Sequence, residues 1–276
     1  MSRFSCSRLY DRIKYRLNKR IAESNFLSNF VSIAKANIFA QMLLLAATPI
    51  LTRLYSPADF GLAAIFLTSV QIISSFCTWK FDRTIPNSRT SFAARQLAGF
   101  GLTIALVVAT VTLLVIQLNP WGVLDISSVQ KLGPLLLWLP FAIIATGVIQ
   151  LGSAWYARET KLTAVSYSVV AYSLAYLASA LTAGLTEFGT GGLIFSSVFA
   201  LWCQVIVLVY LISSPVFISK ATIRRTKVVF YKNIKNASAA SVVTFVNTIS
   251  FAAPVYLLSY NYQLAEVGLY LSLIHI

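Results

Sequence analysis

Apolar runs of about 20 residues, the length that crosses a bilayer as a helix, recur along this chain. Seven can be read, at roughly 31–52, 60–79, 97–118, 134–156, 165–185, 193–213 and 241–260, and an eighth starts near Gly268. In hydrocarbon every backbone polar group must be satisfied within the protein, which leaves helices and closed barrels. Barrel strands alternate apolar and polar residues over about 10 positions, and these runs do not alternate. Composition agrees. The chain is 58% hydrophobic and 11% charged, whereas a soluble domain carries about 25% charged residues. The expected fold is all-α, a polytopic transmembrane helical bundle.

The formal net charge of +14 invites a nucleic-acid reading, which the distribution of charge excludes. The tail 1–29 and the loops 80–96, 157–164 and 214–240 hold 19 of the 22 Lys and Arg residues. The alternate loops hold two, Arg53 and Lys131, and Lys35 lies in the first span. By the positive-inside rule the basic side is cytoplasmic, so the N-terminus is expected inside. Some attraction to anionic membrane lipids follows. The tail is read either as a basic helix on the inner membrane surface or as a disordered segment. Cys6, Cys77 and Cys203 are scattered without metal-ligand spacing. No metal and no cofactor is expected.

A short motif occurs twice. Ala58-Asp59-Phe60-Gly61-Leu62 follows the first span, and Ala265-Glu266-Val267-Gly268-Leu269 follows the seventh, 207 positions later. A proline, Pro49 or Pro254, lies near the end of the preceding span. The topology puts both copies on the outer face, six helices apart. An even period makes parallel repeats. The expected organisation is a cytoplasmic tail (1–29), a first six-helix bundle (30–213), a basic cytoplasmic loop (214–240) and the first one or two helices of a second bundle (241–270). Asp59 and Glu266 fall at helix starts, where a carboxylate complements the helix dipole. Residues 271–276 are what CTG TCT CTT ATA CAC ATC encodes. That string is similar to a sequencing-library adapter, so these residues are expected not to be biological and the chain to be C-terminally truncated.

Several stretches carry a family resemblance. They are the run from Thr48 to Leu62 (TPILTRLYSPADFGL), Lys80 to Pro86 (KFDRTIP), Trp155 to Lys161 (WYARETK) and Gly191 to Ile194 (GGLI). With these the chain resembles the polysaccharide-biosynthesis flippases, exemplified by O-antigen flippases. Their superfamily also holds multidrug/toxin extruders and lipid II flippases. The resemblance implies two six-helix bundles around a central cavity, and as substrate an undecaprenyl-pyrophosphate-linked oligosaccharide. Polysaccharide polymerase and chain-length machinery are implied as further partners, and the bacterial inner membrane as location.

No enzyme signature is present, and the protein is not expected to be an enzyme. Transporters place polar side chains where helices face a water-filled cavity. Stripes at helical spacing nominate Asn37, Gln41 and Thr48 in the first span, Gln71 with Thr68, Ser75 and Thr78 in the second, and Tyr172 and Tyr176 in the fifth. The seventh contributes Thr244, Asn247 and Thr248. The competing role of such residues is interhelical hydrogen bonding. A pyrophosphate needs cations near its path, and Lys35, Lys80, Arg83 and Arg158 are the candidates. The alternatives to lipid-linked oligosaccharide flipping are a cation-coupled multidrug antiporter on the same fold, or a non-transporting component of a glycan-assembly complex. All eight carboxylates fall in the tail or loops, which favours the flippase over the antiporter.

Overall fold

The computed structural model describes residues 31–119, 127–211 and 223–274. The tail reading and the last two positions lie outside them. Seven helices are long and apolar enough to cross a membrane, and the chain is a multi-pass helical membrane protein.

Helix α1 (Val31–Leu54) turns tightly at Tyr55-Ser56 into α2 (Pro57–Ser74). The start of α2 is written in its residues. Ser56 caps it, Pro57 supplies a pre-set φ at N1, and Asp59 closes a capping box. The Asp59 backbone N–H donates to Ser56 Oγ at 3.2 Å, and the Ser56 N–H donates to Asp59 Oδ2 at 3.0 Å. Thr190 Oγ1 donates to the other oxygen, Oδ1, tying this turn to a later helix.

Helix α2 stops earlier than its apolar run, which continues to residue 79. Turns follow Ser74, and Trp79 and Lys80 both adopt left-handed backbone, at φ 48° and 52°. A 3-10 turn (Phe81–Arg83) leads on to α3 (Ser91–Leu118), capped by Thr90. A one-turn helix α4 (Ser127–Gln130) and a 3-10 segment (Gly133–Trp138) precede α5 (Leu139–Arg158). Helices α6 (Leu162–Leu185) and α7 (Gly189–Leu211) complete the first bundle.

Helix α8 runs from Ile223 to Asn261, with Pro254 inside it. Residues 223–240, expected as part of a basic loop, are therefore helical. The reason is one apolar face: Val229, Phe230, Ile234 and Ala237 pack against Phe81, Leu97 and Trp155, while Lys232 and Lys235 stay exposed. Helix α9 (Leu264–Ile274) then lies against α2.

Two apolar clusters organise the bundle. One, at the end holding the paired motifs, joins Leu51 and Tyr55, Ile65 and Phe66, Leu136, Leu193 and Ile194, Val255 and Val267. The other, at the opposite end, joins Phe81, Ile85, Leu97, Leu151, Trp155 and Ala237. The described basic loop residues gather at the second end: Arg158 Nη1 donates to the Ser88 carbonyl at 3.1 Å, bringing the α5 terminus to the α3 start. The charge partition read from the sequence maps onto these two ends.

Candidate functional site

Helix α2 and the turns that follow it run antiparallel to α8 and touch it at three levels. Nearest the motif end, Ser69 Oγ and Tyr256 Oη share a hydrogen bond of 2.7 Å. Nearer the basic end, the Phe76 and Phe245 rings lie 4.5 Å apart, and Trp79 Nε1 donates to Ser238 Oγ at 2.9 Å. Between these contacts lies a cavity of about 300 Å3. Gln71, Ser74 and Ser75 of the α2 end, Lys80, Gln150 of α5, and Thr244, Asn247, Thr248 and Phe251 of α8 line it.

Its polar groups divide into committed and free. Ser74 and Ser75 hydroxyls donate to the Gln71 and Ile72 carbonyls. Thr244 and Thr248 donate to the Ala240 and Thr244 carbonyls. These four present only lone pairs to the cavity. Gln150 is anchored: its Oε1 accepts from Thr78 Oγ1 at 3.1 Å, and its Nε2 donates to the Ser74 carbonyl at 3.4 Å. Thr78 Oγ1 also lies 2.7 Å from Asp82 Oδ1. The amides of Gln71 and Asn247 and the ammonium of Lys80 have no partner among the described residues.

Of the residues nominated from sequence, the structure brings Gln71, Ser75, Lys80, Thr244, Asn247 and Thr248 to this cavity. Others lie elsewhere. Asn37 and Gln41 are exposed on α1 beside its buried Ala36/Ala40/Ala47/Leu51 face. Thr48 donates to the Leu44 carbonyl of its own helix. Tyr172 and Tyr176 stack on each other along α6, centroids 6.3 Å apart and planes 7° from parallel, and Tyr176 packs on the motif-end core. Lys35 and Arg83 are exposed, and Arg158 is engaged with Ser88 and Ser91. Ser74, Gln150 and Phe251 were not nominated. Gln150 had a signal, an amide deep in an apolar span, but a solitary one with no stripe around it.

The structural residues of the repeated motif also meet. Gly61 of α2 faces Gly268 of α9, each against the other helix's backbone. Glu266 sits exposed in the first turn of α9. Pro49 lies within α1 and Pro254 within α8.

A family model described as "Polysaccharide biosynthesis protein" matches residues 50–272. The chain belongs to that family. No curated protein and no solved structure matches it. The match gives this polysaccharide biosynthesis protein a role in polysaccharide assembly. It takes in both motif copies and every residue of the cavity wall.

Proposed function

We propose that this protein moves a lipid-linked oligosaccharide, of the undecaprenyl-pyrophosphate type, from the cytoplasmic to the outer leaflet of the bacterial inner membrane for surface polysaccharide assembly. The observation that carries the reading is a polar cavity between membrane-spanning helices of a polysaccharide biosynthesis protein. Seven of its nine lining residues carry hydroxyls or amides, all but Lys80 and Phe251. A sugar chain cannot cross hydrocarbon without a partner for each hydroxyl, and such a lining supplies partners.

On this reading the protein transports and does not catalyse. The basic end faces the cytoplasm, the first bundle (30–213) and the α8–α9 unit flank the sugar path, and the lipid tail stays in the bilayer. Polymerase and chain-length machinery act downstream on the flipped unit.

Deletion of the full-length gene tests this. Loss of surface polysaccharide with accumulation of the lipid-linked repeat unit is the expected result. Normal polysaccharide without accumulation, in a strain with no second flippase, overturns it.

A further inference from the structure

Arg95 lies one turn inside α3, about 6 Å along the helix from Ser91. Its Nε is shut off from solvent and has no hydrogen-bond partner, and the side chain makes no ion pair among the described residues. A guanidinium stays charged in proteins, and a shielded N–H of a charged group is costly to leave without an acceptor. The position therefore calls for an acceptor that the described chain does not supply.

A second guanidinium stands beside it. Residues 91 and 95 are four apart and share one face of α3. Arg158, at the end of α5, donates from Nη1 to the Ser88 carbonyl at 3.1 Å and from Nη2 to Ser91 Oγ at 3.4 Å. Both acceptors are neutral. Glu159, the next residue, is occupied: it accepts from Trp155 Nε1 at 2.9 Å and pairs with Lys161 at 3.3 Å. The start of α3 adds the positive end of its dipole. Two cations and a helix N-terminus thus gather around Ser91, and neither cation has an ion pair among the described residues. Arg95, Ser91 and Arg158 take no part in the cavity between α2 and α8.

The helix face above Arg95 names the occupant. Leu106 and Leu113 lie 11 and 18 positions further on, in register with Arg95 on the helical period. Both are exposed on a helix long and apolar enough to cross the membrane. Gly99, one turn above Arg95, leaves open space, since a Cβ there meets nothing within 4 Å.

We propose that Arg95 and Arg158 form a headgroup site for an anionic phospholipid, on the flank of the bundle between α3 and α5 and in the leaflet at the basic end. The phosphodiester oxygens accept from the two guanidiniums, and the acyl chains run along Leu106 and Leu113. A zwitterionic headgroup brings its own cation and suits two guanidiniums less well. The site gives a place to what net charge alone makes a diffuse attraction, and it does not rest on the transport reading.

The test is binding to the full-length protein purified in detergent. Phosphatidylglycerol and phosphatidylcholine are titrated with bound lipid counted by native mass spectrometry, and inorganic phosphate is titrated by calorimetry. Wild type is expected to bind phosphatidylglycerol at least about tenfold more tightly than phosphatidylcholine. Arg95→Gln and Arg158→Gln are each expected to remove most of that preference. Arg95 makes no hydrogen bond within the protein, so its variant tests the lipid contact without breaking the α3–α5 tie, and either variant serves if the other does not fold. Lys235→Gln, an exposed cation of α8, is the control expected to keep the preference. Equal binding of the two lipids by wild type, or both arginine variants binding like wild type, overturns the proposal. So does a loss in Lys235→Gln as large as in Arg95→Gln, which would mean a diffuse field in place of a site. Arg95-dependent binding of inorganic phosphate, with phosphatidylglycerol binding unchanged in Arg95→Gln, overturns the lipid as occupant.

Discussion

Gly61 and Gly268 meet across the α2–α9 crossing, and each is denied a side chain by the other helix's backbone. A Cβ on Gly61 would strike the Leu264 carbonyl, and one on Gly268 would strike the Pro57 carbonyl. Leu264 and Pro57 are separated by 207 positions, as are the two glycines. The contact therefore maps onto itself when the copies are exchanged. A two-fold relation between the α1–α2 and α8–α9 hairpins has this consequence, and small residues permit the close approach.

Alanine at either glycine must push the two backbones apart, at a cost of about 1–3 kcal/mol. Gly99 is the contrast: a Cβ there meets nothing within 4 Å, and alanine in that helical position is worth about 0.5–1 kcal/mol in the favourable direction. Thermal unfolding in detergent should show lower midpoints for Gly61→Ala and Gly268→Ala and an equal or higher one for Gly99→Ala. Equal midpoints for all three would remove the crossing as a constraint.

Asp59 closes the cap of α2 and accepts from Thr190. Asp59→Ala should cost about 1 kcal/mol of stability and leave Thr190 without its acceptor. Transport in a complemented deletion strain should persist once expression is matched. A variant that unfolds normally yet cannot transport would show that the carboxylate acts on more than the cap.

A large ring placed in the cavity wall should block passage. Asn247→Trp projects from an exposed position on α8 into a space of about 300 Å3. Surface polysaccharide should be lost while membrane protein level is kept. Phe199→Trp, on the outward face of α7 where Phe199 is 45% exposed, should complement fully. Equal complementation by both would exclude the cavity from the substrate path.

The seam below the cavity is tied by the Trp79–Ser238 bond and the Phe76–Phe245 contact. In a cysteine-free variant, Trp79→Cys with Ser238→Cys should join through a short thiol cross-linker. If α2 and α8 separate during transport, joining them abolishes polysaccharide export and cleaving the linker restores it. Export that continues in the cross-linked protein would place the opening elsewhere.

Orientation is checked with single cysteines at exposed positions of the two ends. Gln263→Cys, between α8 and α9, should react with a membrane-impermeant maleimide in intact cells. Lys161→Cys, between α5 and α6, should react only after permeabilisation. The reverse pattern would invert the assigned orientation.

Much of the fold is legible because span length and charge asymmetry are properties of single segments. The early end of α2 was not. Its cause is the left-handed pair Trp79-Lys80, two bulky residues that carry no turn signal of the Gly or Asn kind. The helical stretch 223–240 was hidden by its lysines and arginines, although Phe230, Ile234, Ala237 and Ser241 recur at helical spacing. For the site, periodicity finds a polar face but not what the face meets. Gln71 with Ser75, and Thr244 with Thr248, formed stripes of the same kind as Asn37 with Gln41. Only the packing of α2 against α8 separates the first two from the third. Gln150 stood alone, and a single amide has no period.

Helix α8 extends about 58 Å at 1.5 Å per residue, fixed near its start by the Phe230 ring set and near its finish by Tyr256. Such an element behaves as a lever more than as a wall. A tilt imposed at Phe245 travels about three turns through backbone hydrogen bonds before it reaches Tyr256. Pro254 interrupts that transmission, since it offers no amide hydrogen to the Ser250 carbonyl. Compliance is thereby concentrated on the motif side of the cavity, so the segment lined by Thr244, Asn247 and Thr248 moves with the basic end.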